Sequence, residues 1–139
     1  MDNIVIDTNC LIMAISSRSA YHKIWQAFIA GEYYLCISNE ILEEYAEVIA
    51  RNISLNVARY VVYTIMERKN VKQIIPYYKW NLIDTDQDDN KFVDCAIAAN
   101  AKFIVTEDHH FDVLKKIDFP SVDIINIDNF LKEVEKKYS

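Results

Sequence analysis

Carboxylates recur in this chain where an apolar run ends or where water should be absent. Asp7 closes "NIVID", Glu44 sits inside "ISNEILEEYAEVI", Asp94 is embedded in "FVDCAIAANA", and Asp108 follows "KFIVT" by two residues. An ionised carboxylate in apolar surroundings is costly unless a cation, a hydrogen-bond network or a raised pKa compensates it. Four such groups brought together would also repel one another. The natural partner of an all-oxygen cluster is a hard divalent ion such as Mg²⁺ or Mn²⁺. A centre of that kind supports metal-assisted hydrolysis, most naturally of phosphodiesters, by activating water and stabilising charge on the attacking and leaving oxygens.

Whether these acids meet depends on the elements that carry them. Short apolar runs alternate with longer amphipathic ones. The apolar runs predict strands at 3–6, 33–38, 71–76, 102–106 and 122–127. The amphipathic runs predict helices at 9–15, about 20–30, 39–50, 56–69, 89–101, 109–117 and 128–137. Gly31 is placed to end the second helix, Ser38 to cap the third, and Pro76 to stop the third strand. Short apolar strands alternating with helices predict an α/β protein, a three-layer α/β/α sandwich around a central parallel β-sheet.

In such sheets ligands bind at the carboxyl ends of the strands. Asp7 follows the first strand and Asp108 the fourth, so both fall at that edge. The helix after the second strand starts there too. Ile41, Tyr45, Val48 and Ile49 form its apolar stripe, Glu43 and Glu47 point away, and Glu44 lies on the border, the acid expected to reach inward. The helix over 89–101 also begins at this edge and is apolar nearly all round, with Asp94 inside it. The expectation is that Asp7, Glu44, Asp94 and Asp108 converge on one metal site.

Composition bounds the partners. With 139 residues the chain is expected to form one domain, residues 1–139. The formal net charge of −6 argues against gripping nucleic acid mainly through basic side chains, but it does not exclude an enzyme that meets phosphates through bound metal. No apolar stretch approaches the roughly 20 residues of a membrane span. Asp2 and Asp7 interrupt any signal-peptide pattern, so no membrane partner and a cytoplasmic location are expected. Cys10, Cys36 and Cys95 are widely separated in apolar contexts and read as buried reduced thiols.

The segments "VIDTNCLI", "ISNEILEEYAEVI" and "DDNKFVDCAIAANAKFIVTEDHHF", in that order, resemble a PIN domain, and within that family the branch of toxin components of toxin–antitoxin systems. The resemblance runs from residue 3 to about residue 112. It implies a Mg²⁺- or Mn²⁺-dependent ribonuclease with an acidic pocket at the carboxyl edge of a parallel sheet. It carries over at Asp7, Glu44, Asp94 and Asp108, with Asn9 and Thr106 as supporting polar positions. Ser38 matches the serine that starts the second-strand helix, Asp89 a frequent acid of this branch, and Asp112 an outer acid. An RNA substrate, a cognate antitoxin protein and homodimerisation are implied with it.

Other readings compete. "DTDQDDNKFVDC" mimics a calcium loop through Asp84, Asp86 and Asp88, but Asp89 stands where glycine is needed and Cys95 where glutamate is needed. A solvated acidic loop entering a helix is the better account. Asp7 as the nucleophile of a haloacid-dehalogenase-type phosphatase would need D-x-D, and Asn9 replaces the second acid. His109 and His110 read as a polar turn, with a phosphate contact as the alternative. Tyr33, Tyr34, Tyr77, Tyr78 and Trp80 read as packing residues, with base stacking as the alternative. A non-catalytic interaction module that keeps the fold is the alternative from a different class.

Overall fold

The computed structural model describes residues Met1–Tyr138. Five strands, β1 (Asn3–Ile6), β2 (Tyr34–Ile37), β3 (Val71–Gln73), β4 (Phe103–Val105) and β5 (Ile124–Ile125), form one sheet in the order β3-β2-β1-β4-β5. Every adjacent pair is parallel. The helices are α1 (Thr8–Ile15), α2 (His22–Ile29), α3 (Asn39–Asn52), α4 (Leu55–Glu67), α5 (Asn90–Ala99) and α6 (Ile127–Tyr138). Two stretches, Gln87–Asp89 and His109–Lys116, are 3₁₀ rather than α. This is the three-layer α/β/α sandwich expected from the alternation of elements.

The central strands are short and covered on both faces. Ile4, Val5 and Ile6 of β1 and Leu35, Cys36 and Ile37 of β2 are all buried, which is why these runs are continuously apolar instead of alternating. Local chemistry sets the boundaries. Gly31, at φ 79°, closes α2: its N–H donates to Phe28 O (3.0 Å) and the Glu32 N–H to Ala27 O (3.0 Å). The Ser38 and Ser54 side chains accept from the third residue beyond them and so cap α3 and α4.

β1 is the central strand, and the chain runs to one side of it for β2 and β3 and to the other for β4 and β5. The sheet therefore reverses direction between β1 and β4. A crevice opens at the carboxyl ends of strands at such a switch point. Asp7 and Asp108 flank it.

Candidate functional site

Asp7 is the first residue past β1, and its N–H still pairs with Val105 O (2.9 Å). It caps α1, its Oδ1 accepting the Thr8 N–H at 2.8 Å. Its Oδ2 accepts the Thr106 hydroxyl at 2.9 Å, and the same hydroxyl oxygen accepts the Asp108 N–H at 3.0 Å. One threonine at the end of β4 thus sets the position of both acids. From α3, the buried Tyr45 hydroxyl donates to Ile6 O and ties that helix to the strand end.

Glu44 lies one residue before Tyr45 and does reach inward. One carboxylate oxygen accepts the Thr8 hydroxyl and the other the Lys91 ammonium at 2.7 Å. The Glu44 and Lys91 side chains are only 22% and 16% exposed, so this is a largely desolvated ion pair. Burial works against the Lys91 charge, but the Glu44 carboxylate outweighs it and raises the Lys91 pKa.

The third acid of the cluster is Asp89, at the start of α5. It stands at the N-cap position yet makes no capping hydrogen bond. Its carboxylate turns instead toward Asp108, Asp86 and Asp7, whose charges it feels. The acidic loop is clamped there by Asn90, whose side chain accepts from Ile83 N (2.9 Å) and donates to Ile83 O (3.0 Å). Asp89 is 9% exposed, and its Oδ2 is buried. His110 Nδ1 approaches from the loop after β4, at 3.3 Å from Asp108 Oδ1, 3.5 Å from Asp89 Oδ2 and 3.9 Å from Asp86 Oδ2.

The structure gives Asp94 different neighbours from those of this cluster. Asp94 is 7% exposed, but its Oδ1 accepts the Trp80 N–H at 3.1 Å, and the nearby charges it feels are Glu40 and Lys79. It lines a separate groove of about 250 Å³ with Ser38, Lys79, Asn81 and Lys91. The reason is helical geometry. Five residues past Asp89, a side chain is turned by about 140° and displaced by roughly 7 Å along the axis. The Trp80 N–H supplies part of the compensation that a buried Asp94 requires.

The electrostatics mark the same group of residues. Burial pushes Asp7 up to about 6 against the lowering effect of Thr106 and Thr8, and the charges of Glu44 and Asp108 add to the rise. Burial also pushes Asp89 up to about 7, reinforced by Asp108, Asp86 and Asp7 against the lowering effect of the His110 hydrogen bond. Asp94 is raised by burial too, but the Trp80 N–H pulls the other way. Perturbed carboxylates gathered at a strand edge mark a functional site on physical grounds.

The supporting positions divide. Thr106 is central, Ser38 is the buried cap of α3, and Asn9 is exposed on the first turn of α1. Asp112 faces outward, its carboxylate held by His109 (3.2 Å) and Lys115 (3.5 Å), and the His109 bond lowers its pKa. It borders a groove of about 380 Å³ that runs from Asp108 past Lys115 to Asn126 and Asn129. Sequence reasoning missed Thr8, Lys91 and Asn90 and did not single out Asp86 and His110 as neighbours. The doublet of acid and asparagine before α5 was the one local sign of them.

A family model for the PIN domain matches residues 3–110, and the chain belongs to the PIN domain family. Among solved structures the fold is similar to VapBC2 of Rickettsia felis, a complex bound to a DNA fragment from its promoter. The match has TM-score 0.63 and 18% identity, covering 89% of this chain and 98% of that one. DNA-bound VapBC of Salmonella typhimurium matches at TM-score 0.61 and 17% identity, over 91% and 99%. The Sarcin–Ricin loop cleaving toxin VapC20 of Mycobacterium tuberculosis matches at 0.58 and 13%, over 78% and 92%. No curated protein sequence matches significantly. Among the described residues no helix is long and apolar enough to cross a membrane.

Proposed function

We propose that this PIN domain is a divalent-metal-dependent endoribonuclease, the cytoplasmic toxin of a toxin–antitoxin pair. The observation that carries the reading is that Asp7, Asp89 and Asp108 lie near enough at the β1/β4 switch point for the Asp108 charge to help raise the pKa of both Asp7 and Asp89. Buried carboxylates that raise one another's pKa in an oxygen-rich cluster fit a hard cation. Asp7, Asp89 and Asp108 would hold the ion, either Mg²⁺ or Mn²⁺. When bound, it would polarise a phosphodiester and stabilise the charge that develops in its hydrolysis.

The chain's own groups supply the rest. Thr8 and Thr106 fix the Asp7 carboxylate, and Thr106 also fixes the Asp108 backbone. Glu44, held between Thr8 and Lys91, is placed to orient the attacking water and take its proton as the water oxygen bonds to phosphorus. Meanwhile the bond from phosphorus to one ribose oxygen breaks, and that oxygen leaves with a proton from solvent. Lys91 holds the Glu44 carboxylate in place through a largely desolvated ion pair. Asp94 anchors the loop at Trp80 and is not among the proposed metal ligands.

The VapBC complexes among the structural neighbours support an antitoxin protein as partner, and VapC20 supports cleavage of nucleic acid as the activity. RNA as the substrate and homodimerisation rest on the family resemblance. The test is cleavage of RNA with Mg²⁺ or Mn²⁺, with and without EDTA, for the native chain, Asp7→Asn and Asp89→Asn. Cleavage is expected only in the native chain with metal. Cleavage that survives EDTA or both substitutions overturns the assignment, and a folded chain that neither binds Mn²⁺ nor cuts RNA is the interaction module instead.

A further inference from the structure

The aromatic residues that the sequence leaves open between packing and stacking divide in the structure. Tyr33 packs: it is buried, its ring centre lies 5.5 Å from that of Phe130, and its hydroxyl donates to Ile24 O at 2.9 Å. Tyr34 lies under the Lys72 ammonium, 4.2 Å from the ring centre. Tyr78 and Trp80 belong instead to a cluster at the surface. Their ring centres are 4.5 Å apart at 57°, and Phe119, from the loop before β5, meets Trp80 at 6.4 Å and 88°. Tyr78 is 64% exposed and Phe119 85%. Tilted and edge-on contacts leave ring faces open to a flat partner.

The loop that carries two of these rings is pinned. Residues 74–86 form no helix or strand, but the Trp80 N–H is bonded to Asp94 Oδ1 at 3.1 Å and Ile83 is clamped by Asn90. The rings are therefore presented without the cost of ordering a free loop on binding. The groove of about 250 Å³ beside them is lined by Lys79 and Asn81, the exposed neighbours of Trp80, and by Lys91, the partner of Glu44. It leads from the cluster toward the proposed catalytic edge. Its acids, Glu40, Asp88 and Asp94, outnumber its two lysines, so charge alone does not make it a site for phosphates. Stacking on neutral rings supplies affinity that these acids do not oppose. Open ring faces beside exposed polar donors match a nucleotide, which joins a flat base to a phosphate, better than an apolar protein segment.

We propose that Tyr78, Trp80 and Phe119 form a substrate subsite that stacks unpaired RNA bases beside the groove leading to Glu44 and Lys91. The inference rests on the ribonuclease reading above and deepens it by assigning residues that hold the RNA away from the acids. Bases inside a duplex are stacked on one another and offer no free face, so the subsite takes single-stranded or looped RNA. Asp94 then acts as a positioning residue, holding the Trp80 backbone under the platform.

The probe is hexaadenylate RNA, added to the full chain in EDTA so that no cleavage intervenes. Of the two tryptophans Trp25 is 5% exposed, so Trp80 is the one that a bound base can quench. The expected result is saturable quenching by hexaadenylate, and none by an abasic sugar–phosphate hexamer or a long RNA duplex. Affinity, read by anisotropy of a labelled hexamer, should fall about tenfold in Trp80→Leu and in Phe119→Leu. Trp80→Leu keeps the bond to Asp94, which the backbone makes. Trp80→Phe keeps a ring and should stay within about threefold of the native chain, and Tyr60→Leu, at an exposed ring on α4, should match it. Equal affinity in the native chain, Trp80→Leu and Phe119→Leu overturns the proposal, as does equal binding of the abasic hexamer or failure of the native chain to bind hexaadenylate. Self-association that these substitutions abolish while RNA affinity stays unchanged assigns the cluster to a protein contact and overturns it too. Mn²⁺-dependent cleavage alongside any of these results leaves the nuclease reading standing. Ring-dependent binding without any cleavage keeps the subsite and removes the nuclease.

Discussion

Asp89 and Asp94 lie five residues apart at one helix, are almost equally buried at 9% and 7%, and have opposite surroundings. Asp94 meets a backbone donor at Trp80, which partly satisfies it within the protein. Asp89 meets other acids, and its Oδ2 faces the His110 ring at 3.5 Å. Burial alone therefore does not mark a functional carboxylate. What marks it is burial that the fold leaves uncompensated. Asp94 is paired with the loop backbone, whereas Asp89 is crowded by like charges.

The largest effect expected from this contrast is on binding and cleavage. Asp89→Asn should lower Mn²⁺-dependent RNA cleavage by about a hundredfold or more, as loss of a metal ligand does. It should also abolish the rise in melting temperature that Mn²⁺ gives the native chain. The same substitution should raise the melting temperature of the metal-free protein, because it removes a buried charge that repels its neighbours.

Next in size is a dependence on pH. Asp7 and Asp89 bind protons more readily in the folded chain, with values of about 6 and about 7, than in the unfolded chain at 3.8. The folded state thus holds more protons between these limits, and its stability falls as pH rises through them. The metal-free chain should accordingly become more stable on acidification from pH 8 to pH 5, by on the order of a few kcal/mol at about 1.4 kcal/mol per pKa unit. Thermal melts across this range should show the trend in EDTA and a reduced trend in Asp89→Asn. A flat profile in EDTA would contradict the electrostatic account.

A smaller effect is expected at the ion pair beside the cluster. Lys91→Gln leaves Glu44 without its cation and adds one uncompensated charge near Asp7. Cleavage should fall about tenfold, on the scale of losing a group that orients a metal-site residue, while Mn²⁺ binding is retained. Unchanged cleavage in Lys91→Gln would remove Lys91 and Glu44 as a working pair. The smallest effect belongs to Asp94. Asn at this position keeps an acceptor for the Trp80 N–H, so Asp94→Asn should leave cleavage within about threefold, whereas Asp94→Ala should cost about 1 kcal/mol of stability for the lost hydrogen bond.

The fold was legible because its signals are local. Apolar runs of three to six residues, a glycine after α2 and serines before α3 and α4 each act within a few residues of themselves. Where expectation and structure differ, the cause is pairing between elements. β5 is expected over 122–127 but spans only Ile124 and Ile125, in register with Ile104 and Val105 of β4. The segment 109–117 keeps helical spacing but winds as 3₁₀. At the proposed site, the placement of Asp7 and Asp108 at the sheet edge was legible from their positions after strands, and the inward turn of Glu44 from its place at the edge of an apolar stripe.

Asp94 stood out in the sequence because its neighbours are apolar, yet the residue that satisfies it comes from a loop fourteen positions earlier. Asp89 was inconspicuous among Asp84, Asp86 and Asp88 in what reads as a solvated loop. Only the Asn90 clamp on Ile83 and the return of the chain at His110 distinguish it. Contacts of that range leave no periodic trace in the sequence.

The most direct test sets the two acids side by side. Asp89→Asn and Asp94→Asn are each stripped with EDTA, melted with and without Mn²⁺, and assayed for RNA cleavage against the native chain. The account predicts that Asp94→Asn keeps both the Mn²⁺-induced stabilisation and the cleavage, and that Asp89→Asn loses both. The reverse pattern, with Asp94→Asn inactive and Asp89→Asn active, would contradict it.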